Sequence, residues 1–321
     1  MAGMSEMFII MFILLIMGVP IGVSLAISML TLLTINPVTP IEFIAQSLYS
    51  GLDSYTLIAI PFFMMAGSIM ESGGLSKRLV NAANSVVGNY TGNLGLVTIL
   101  SCMFFGAVSG SAMATVAAIG SIMLPEMVKD GYDKTYATAL VATAGGLGII
   151  IPPSSPMVVF GVTNNVSIGA LFLGGFGPGI LIGAFLMIIN YVLCKKYGYK
   201  GNGQKVSWKH VTKSFKEAIW ALLMPIIILG GIYAGIFTPT EAAVVSCTYG
   251  ILIGMFVYKE FTFSNLWKTL KDNTSFIGGL LFTFSTVSAM GALFAYLKVP
   301  MLVTQFFLSI STSQAVIYFI I

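Results

Sequence analysis

The chain has 321 residues, of which 57% are hydrophobic and only 8% are charged, whereas about a quarter of the residues of a soluble domain are charged. The net charge is +4, and most of the basic residues lie in two stretches, 195–216 and 259–271. That pattern is typical of cytoplasmic loops and not of a nucleic-acid-binding surface.

The three cysteines lie far apart and the single histidine, His210, lies among the lysines. A disulfide framework, a zinc site and histidine catalysis inside a membrane are therefore excluded. We predict an all-α polytopic membrane protein.

The N-terminal quarter predicts two spans and two shorter helices. The first span covers about residues 5–34; it is no signal peptide, because it carries Glu6, lacks a basic start and is too long. Ile41–Ser50 is predicted to be a short interfacial segment, and Asp53–Met70 the second span. Leu75–Tyr90 is too polar to face lipid, so we expect a helix that lies at an interface or packs inside the protein.

The run Gly92–Met127 predicts a helical hairpin. It is long enough for one tilted span, but its middle, GAVSGSA (Gly106–Ala112), would unwind a helix. Each flanking arm is shorter than the roughly 20 residues that a full crossing needs. We therefore predict a re-entrant hairpin with its tip near Ser109–Ser111.

The apolar stretch Gly145–Asn165 predicts a broken helix, because the sequence IPPSSP (Ile151–Pro156) interrupts it. We expect one half-helix at Tyr132–Ile150 and a second, irregular half at Met157–Phe176. Unwound backbone at membrane depth persists only where it is buried in protein or lines a cavity. Its free N–H groups favour an anion, and its free carbonyl groups favour a cation such as sodium.

The C-terminal half predicts further spans joined by basic loops. In chain order the spans are Gly175–Leu193, Ala218–Phe237, Glu241–Tyr258, about Phe276–Leu297 and a last apolar run to Ile321. Small residues four apart, as at Gly175, Gly179 and Gly183, predict close helix packing rather than ligand binding. The basic loops are expected to be solvated, with anionic membrane lipids as minor partners.

Two further features bear on the internal plan of the chain. The residue pattern of Phe62–Val80 resembles that of Val287–Gln305, which suggests an inverted repeat whose second copy is cut short. Four acidic residues near span ends are expected to have interface or capping roles, with proton or ion paths as the alternative. They are Asp53, Glu71, Glu126 and Glu241.

Three motifs together resemble a known family. They are FFGAVSGSAMATVAAIGSIMLP (Phe104–Pro125), GGLGIIIPPSSPMVVFGV (Gly145–Val162) and SIGALFLGGFGPG (Ser167–Gly179). They are similar to the large membrane subunit of TRAP (tripartite ATP-independent periplasmic) transporters. The resemblance implies a sodium-coupled importer of organic acids in the bacterial inner membrane. It also implies an elevator-type fold with inverted repeats, a small four-helix membrane subunit and a periplasmic substrate-binding protein.

The resemblance also implies site residues. The predicted sodium ligands, hairpin-tip hydroxyls and carbonyls of the break, are Ser109, Ser111, Gly148, Ile151 and Pro152. Ser154 and Ser155 are predicted to face the substrate. Asn164 either donates to a substrate carboxylate or caps the next helical turn.

The predicted functional domains follow the same pattern. Residues 1–90 form scaffold helices, 91–174 the transport domain, 175–275 connecting helices with basic loops, and 276–321 the start of the second repeat. No enzyme motif of the GxxxxGK, HExxH or GxSxG type occurs, so no catalysis is expected. Sialic acid is the favoured substrate, because the only arginine, Arg78, lies far from both breaks. A dicarboxylate importer and a passive anion channel are the alternatives.

Overall fold

The computed structural model describes residues 4–37, 39–88, 90–199, 207–310, 313 and 316–317. Within these ranges the chain is helical without β-strands. The helices are α1 (Met4–Ile16), α2 (Ile21–Ile35), α3 (Ile41–Ser50), α4 (Ala59–Ser72), α5 (Leu75–Val87), α6 (Asn93–Ser109), α7 (Ala112–Lys129), α8 (Lys134–Gly145), α9 (Ser155–Asn164), α10 (Ile168–Tyr197), α11 (Trp208–Tyr233), α12 (Pro239–Leu252), α13 (Phe263–Tyr296) and α14 (Val299–Ile310). In the described part of the chain, six helical segments are long and apolar enough to cross a membrane. The protein is therefore a multi-pass membrane protein.

The chain forms two compact units, Met1–Ser54 with Thr274–Ile321, and Tyr55–Asn273. In the first unit, the prediction of one span over residues 5–34 is wrong. Two short helices, α1 and α2, replace it and pack against each other. The chain turns between them because Gly18 adopts a left-handed φ of 80° and Pro20 precedes α2, where it cannot continue the preceding helix. Apolar side chains from α1, α2, α3 and α13 form this unit's core.

In the second unit, α4 packs along α12 and α5 packs against α6 and α11. Two polar contacts fix the first pair: Cys247 Sγ donates to the Phe62 carbonyl at 3.0 Å, and Thr240 Oγ1 donates to the Tyr55 carbonyl at 3.2 Å. The polar segment predicted at Leu75–Tyr90 is the helix α5, and most of its residues are buried, which favours packing inside the protein over the interfacial alternative. The second predicted span is also confirmed, as a 3-10 turn at Tyr55–Ile58 that leads into α4.

Helices α11 and α12 are antiparallel neighbours, since Tyr258 OH donates to the Glu217 carbonyl at 2.9 Å and Tyr249 OH donates to that of Trp220 at 2.8 Å. The start of α11 and the end of α12 thus lie at the same end of the unit, as expected for the two basic stretches. Those stretches are not simple loops, because α10 continues to Tyr197 and α11 begins at Trp208.

At the start of α12, Glu241 and Thr238 form a capping box, which confirms the predicted capping role of Glu241.

Candidate functional site

Helices α6 and α7 form a hairpin whose turn lies at the predicted tip. The arms run antiparallel, because Thr98 near the start of α6 donates its hydroxyl to Met127 Sδ near the end of α7, at 3.6 Å. Gly110 makes the turn with a φ of 60°, a left-handed conformation that costs glycine little. Ser111 then caps α7 by accepting the Ala114 N–H at 3.3 Å. The position of the tip is confirmed; its re-entry into a membrane stays a prediction.

The predicted break is also present. Helix α8 tightens into a 3-10 turn at Gly146–Ile149, and helical structure resumes only at Ser155, where α9 begins. Ser154 is fully buried; its hydroxyl donates to the Ile149 carbonyl at 2.6 Å and accepts the Met157 N–H at 3.4 Å. Within the described residues, no donor reaches the carbonyl oxygens of Ile151, Pro152 and Pro153. The break therefore leaves backbone acceptors without protein partners inside the unit.

The second half of the broken helix differs from the prediction. The expected irregular half at Met157–Phe176 is two helices, because α9 ends at Asn164 and α10 begins at Ile168. Asn165 adopts a left-handed φ of 53° at the end of α9. Ser167 caps α10 by accepting the Ala170 N–H at 3.3 Å, so Asn164 does not cap the next helical turn and that alternative is wrong.

The hairpin tip and the break touch directly. The Ser155 N–H donates to the Gly110 carbonyl at 3.2 Å. Glycines allow this approach: a Cβ atom at Gly110 would lie 3.0 Å from the Pro153 carbonyl oxygen, and one at Gly106 would lie 2.7 Å from the Gly148 Cα. The two broken elements thus meet at one buried contact, and the N-terminal ends of α7 and α9 lie beside each other.

Two hydroxyl side chains and one carbonyl form a network at the tip. Ser109 Oγ lies 3.0 Å from Thr115 Oγ1, and the Thr115 hydroxyl donates to the Ser111 carbonyl at 2.8 Å. Ser109 and Thr115 are both fully buried. A Cβ atom at Gly148 would lie 2.9 Å from the Ser111 carbonyl oxygen. The structure therefore brings together Ser109, Ser111 and Gly148 from the predicted sodium set, and adds Thr115, which sequence reasoning missed.

The predicted substrate residues do not share one environment. The Ser155 hydroxyl is buried and has no hydrogen-bond partner among the described residues, whereas Ser154 uses its hydroxyl to cap α9. Asn164 is exposed at the other end of α9, about 14 Å along the helix axis from Ser155. Its amide donates to the Phe160 carbonyl at 3.0 Å. Ser155 lies at the contact between tip and break, and Asn164 does not.

Helix α10 supports the break through glycines. A Cβ atom at Gly175 would lie 2.7 Å from the Ile150 carbonyl oxygen, and one at Gly179 would lie 2.6 Å from Ile151 Cγ1. This confirms the predicted close packing of the glycine series. The break is thus enclosed between α10 and the hairpin.

The only arginine of the chain lies in another cluster. Arg78 pairs with Glu260 at 2.8 Å, donates to the Gly74 carbonyl at 2.8 Å and lies 3.7 Å above the Tyr258 ring. This guanidinium is engaged by its neighbours at the end of α12.

The polar groups at the contact between the hairpin tip and the break are hydroxyl, N–H and carbonyl groups. Among the described residues, no group of three His, Cys, Asp or Glu side chains could hold a metal ion. Hard oxygen donors of this kind suit an alkali cation, which neutral carbonyl oxygens coordinate in other membrane proteins.

Comparison with known proteins gives the family. Residues 8–321 match the family described as "Tripartite ATP-independent periplasmic transporter, DctM component". The isethionate TRAP transporter permease protein DctMQ of Oleidesulfovibrio alaskensis is 41% identical over 307 residues, 96% of this chain and 48% of that protein. The C4-dicarboxylate TRAP transporter large permease protein DctM of Rhodobacter capsulatus is 37% identical over 301 residues, 89% of this chain and 68% of that protein. The sialic acid TRAP transporter large permease protein SiaM of Vibrio cholerae is 39% identical over 308 residues, 96% of this chain and 72% of that protein.

The chain thus spans about half the length of the first of these relatives and more of the other two. The family match covers nearly the whole chain. The chain therefore belongs to the DctM family, the large membrane permease component of TRAP transporters.

Proposed function

We propose that this chain is the membrane subunit of a sodium-coupled, binding-protein-dependent secondary transporter that imports an organic acid. The observation that carries the proposal is the 3.2 Å hydrogen bond from the Ser155 N–H to the Gly110 carbonyl. It joins two broken helical elements at one buried place, where each contributes a helix N-terminus and the break adds unpaired polar groups. A binding site is the best physical reason for such a costly arrangement in a membrane protein.

The substrate carboxylate would bind beside the adjoining N-termini of α7 and α9, with the Ser155 hydroxyl as the donor from α9, because the N–H groups of Ser155 and Met157 are already hydrogen-bonded. Helix N-termini favour an anion by about 0.3–1 kcal/mol each, and more when partly buried. The unpaired hydroxyl of Ser155 supplies a donor beside them. Ser154 would orient the start of α9, because its own hydroxyl caps that helix. We do not include Asn164, since it lies at the opposite end of α9.

The sodium ion would bind between the hairpin tip and the break. Its ligands would come from the hydroxyls of Ser109 and Ser111 and from carbonyl groups of Gly148, Ile151 and Pro152. The hairpin arms have 17 and 18 residues, which place the tip about 25 Å from their other ends. The unpaired carbonyl oxygens belong to residues that are buried in the unit, and a sodium ion would pair them.

Movement of an elevator type is the transport mechanism we propose, with residues 91–174 sliding against the scaffold. At Gly67 of α4, a Cβ atom would lie 2.9 Å from Ser109 Cβ and 3.6 Å from Ala114 Cβ. The second distance suits a disulfide. In a variant without the native cysteines, a cross-link between Gly67→Cys and Ala114→Cys should stop uptake, and a reductant should restore it. Full uptake by the cross-linked protein would contradict the sliding motion.

The partners and location follow from the family and stay proposals. They are a small four-helix membrane subunit, a periplasmic substrate-binding protein and the bacterial inner membrane. The relatives named above are described as isethionate, C4-dicarboxylate and sialic acid transporters, and all of these substrates are organic acids. We propose sialic acid, because the one arginine of this sequence, Arg78, is paired with Glu260 and does not contribute to the contact between tip and break.

Uptake by the whole transporter in proteoliposomes tests this function. We expect uptake to require both an inward sodium gradient and the cognate binding protein. The double variant Ser109→Ala, Ser154→Ala should weaken uptake far more than Lys209→Ala, which changes an exposed lysine of α11. Uptake that persists after the sodium gradient is collapsed would overturn the coupling. Conductance without saturable uptake would indicate a channel.

A further inference from the structure

We propose that Thr115 is a positioning residue for the sodium site, whose hydroxyl aims the Ser109 oxygen at the ion and holds the Ser111 carbonyl in place. This rests on the sodium-coupled function proposed above. Thr115 is fully buried in α7, one turn after the hairpin tip. Nothing in its sequence position marks it as functional, because threonines often bond to the carbonyl four residues earlier.

The direction of each hydrogen bond follows from counting protons. The Ser111 carbonyl can only accept, and it receives the Thr115 hydroxyl at 2.8 Å and the Thr115 N–H at 3.1 Å. We place the Thr115 proton on the 2.8 Å bond because the competing bond from Ser109 Oγ to the same carbonyl is longer, at 3.3 Å; Ser109 is then the donor in its 3.0 Å contact with Thr115 Oγ1.

Because Ser109 donates its proton to Thr115, both lone pairs of the Ser109 oxygen can accept from other groups. One lone pair accepts the Ser111 N–H at 3.4 Å, and the other remains available to a cation. Without the Thr115 oxygen, the Ser109 proton would turn toward its alternative acceptor, the Ser111 carbonyl at 3.3 Å. That rotation would move the lone pairs of Ser109 and occupy a carbonyl that faces Gly148.

Thr115 also fixes the Ser111 carbonyl in space. A Cβ atom at Gly148 would lie 2.9 Å from that carbonyl oxygen and 3.1 Å from Thr115 Cβ. The threonine thus holds the carbonyl against the backbone of the break. Because an alkali-ion site depends on the number and placement of its oxygen ligands, loss of this hydroxyl should lower sodium affinity.

The test compares Thr115→Val, which keeps the shape but removes the hydroxyl, with Thr115→Ser, which keeps the hydroxyl. Thr248→Val is the matched control, since Thr248 makes the same bond to the carbonyl four residues earlier, at 3.0 Å, on the exposed side of α12. Uptake by the whole transporter is measured against sodium concentration, and sodium-dependent thermal stabilisation of the purified protein provides a readout independent of transport.

We expect Thr115→Val to raise the sodium concentration for half-maximal uptake by about tenfold. The KM for substrate at saturating sodium should be nearly unchanged, and Thr115→Ser and Thr248→Val should resemble the parent protein. If the valine variant cannot be purified in folded form, Thr115→Ala replaces it with the same expected shift.

An unchanged sodium dependence in the variant that lacks the hydroxyl would overturn the role of Thr115. An equal defect in Thr115→Ser would also overturn it, because the methyl group and not the hydroxyl would then matter. A parent transporter whose uptake ignores sodium would instead refute the proposed function, so the two failures are distinguishable.

Discussion

Gly148→Ala is the substitution that most directly separates the hairpin tip from the break. The added Cβ atom would lie 2.9 Å from the Ser111 carbonyl oxygen and would also collide with Thr115 Oγ1. A normal contact needs about 0.5 Å more space, and the carbonyl belongs to the backbone, so the tip itself must move. Overpacking of this kind costs about 1–3 kcal/mol.

That strain has a calculable effect on transport. If movement of the hairpin tip relieves this strain, the fraction of molecules that form the complete site is about 5- to 150-fold smaller than in the parent protein. The apparent affinity for sodium falls by the same factor. We expect uptake at low sodium to fall accordingly, and high sodium to recover part of it. The assay is the initial rate of uptake in proteoliposomes over a series of sodium concentrations.

Gly146→Ala is the matched control, two residues earlier in the same 3-10 turn. A Cβ atom at Gly146 would meet nothing within 4 Å, and its φ of −58° is ordinary for alanine. It should behave like the parent protein. Normal sodium dependence in Gly148→Ala, or an equal defect in Gly146→Ala, would refute the claim that the contact between tip and break forms the site.

Three other substitutions test separate parts of the account. Ser155→Ala removes a buried hydroxyl without a described partner, so we expect a several-fold higher KM for substrate and an unchanged melting temperature; an unchanged KM would remove Ser155 from the substrate site. Asn190→Leu removes a buried amide that donates to the Gly92 carbonyl at 3.0 Å and accepts from Tyr136 OH at 2.8 Å. It should destabilise the protein by about 1–3 kcal/mol, and an unaltered thermal unfolding curve would contradict this. Thr238→Ala breaks the capping box of α12 and should cost about 0.5–2 kcal/mol, with sodium dependence unaffected; a shifted sodium dependence would place that cap in the mechanism.

Much of the fold was predictable because the relevant signals are local. Glycine, serine and proline unwind helices through their own backbone properties, so the tip at Ser109–Ser111 and the break at Ile151–Pro156 could be located from composition. The short segment predicted at Ile41–Ser50 is a helix with the same bounds, and its interfacial position stays a prediction. The first span was misjudged because hydropathy over residues 5–34 is uniformly high, and the left-handed Gly18 that divides it does not change the hydropathy.

The candidate site was less predictable because it depends on contacts between distant segments. Sequence spacing places Thr115 one turn after Ser111, but it does not show that Ser109 folds back onto the same hydroxyl. The approach of Ser111 to Gly148 likewise requires the hairpin to pack on the break. Asn164 was misplaced for a related reason, since α9 is a regular helix that carries it away from the contact.

Sodium binding to the purified transporter tests the central claim most directly. Radioactive sodium is titrated at constant ionic strength, with choline as the replacing cation, onto the parent protein and onto Ser109→Ala. We expect saturable sodium binding to the parent protein, and the loss or strong weakening of binding of one sodium ion in the variant. Equal stoichiometry and affinity in the two proteins would contradict a sodium site at the hairpin tip.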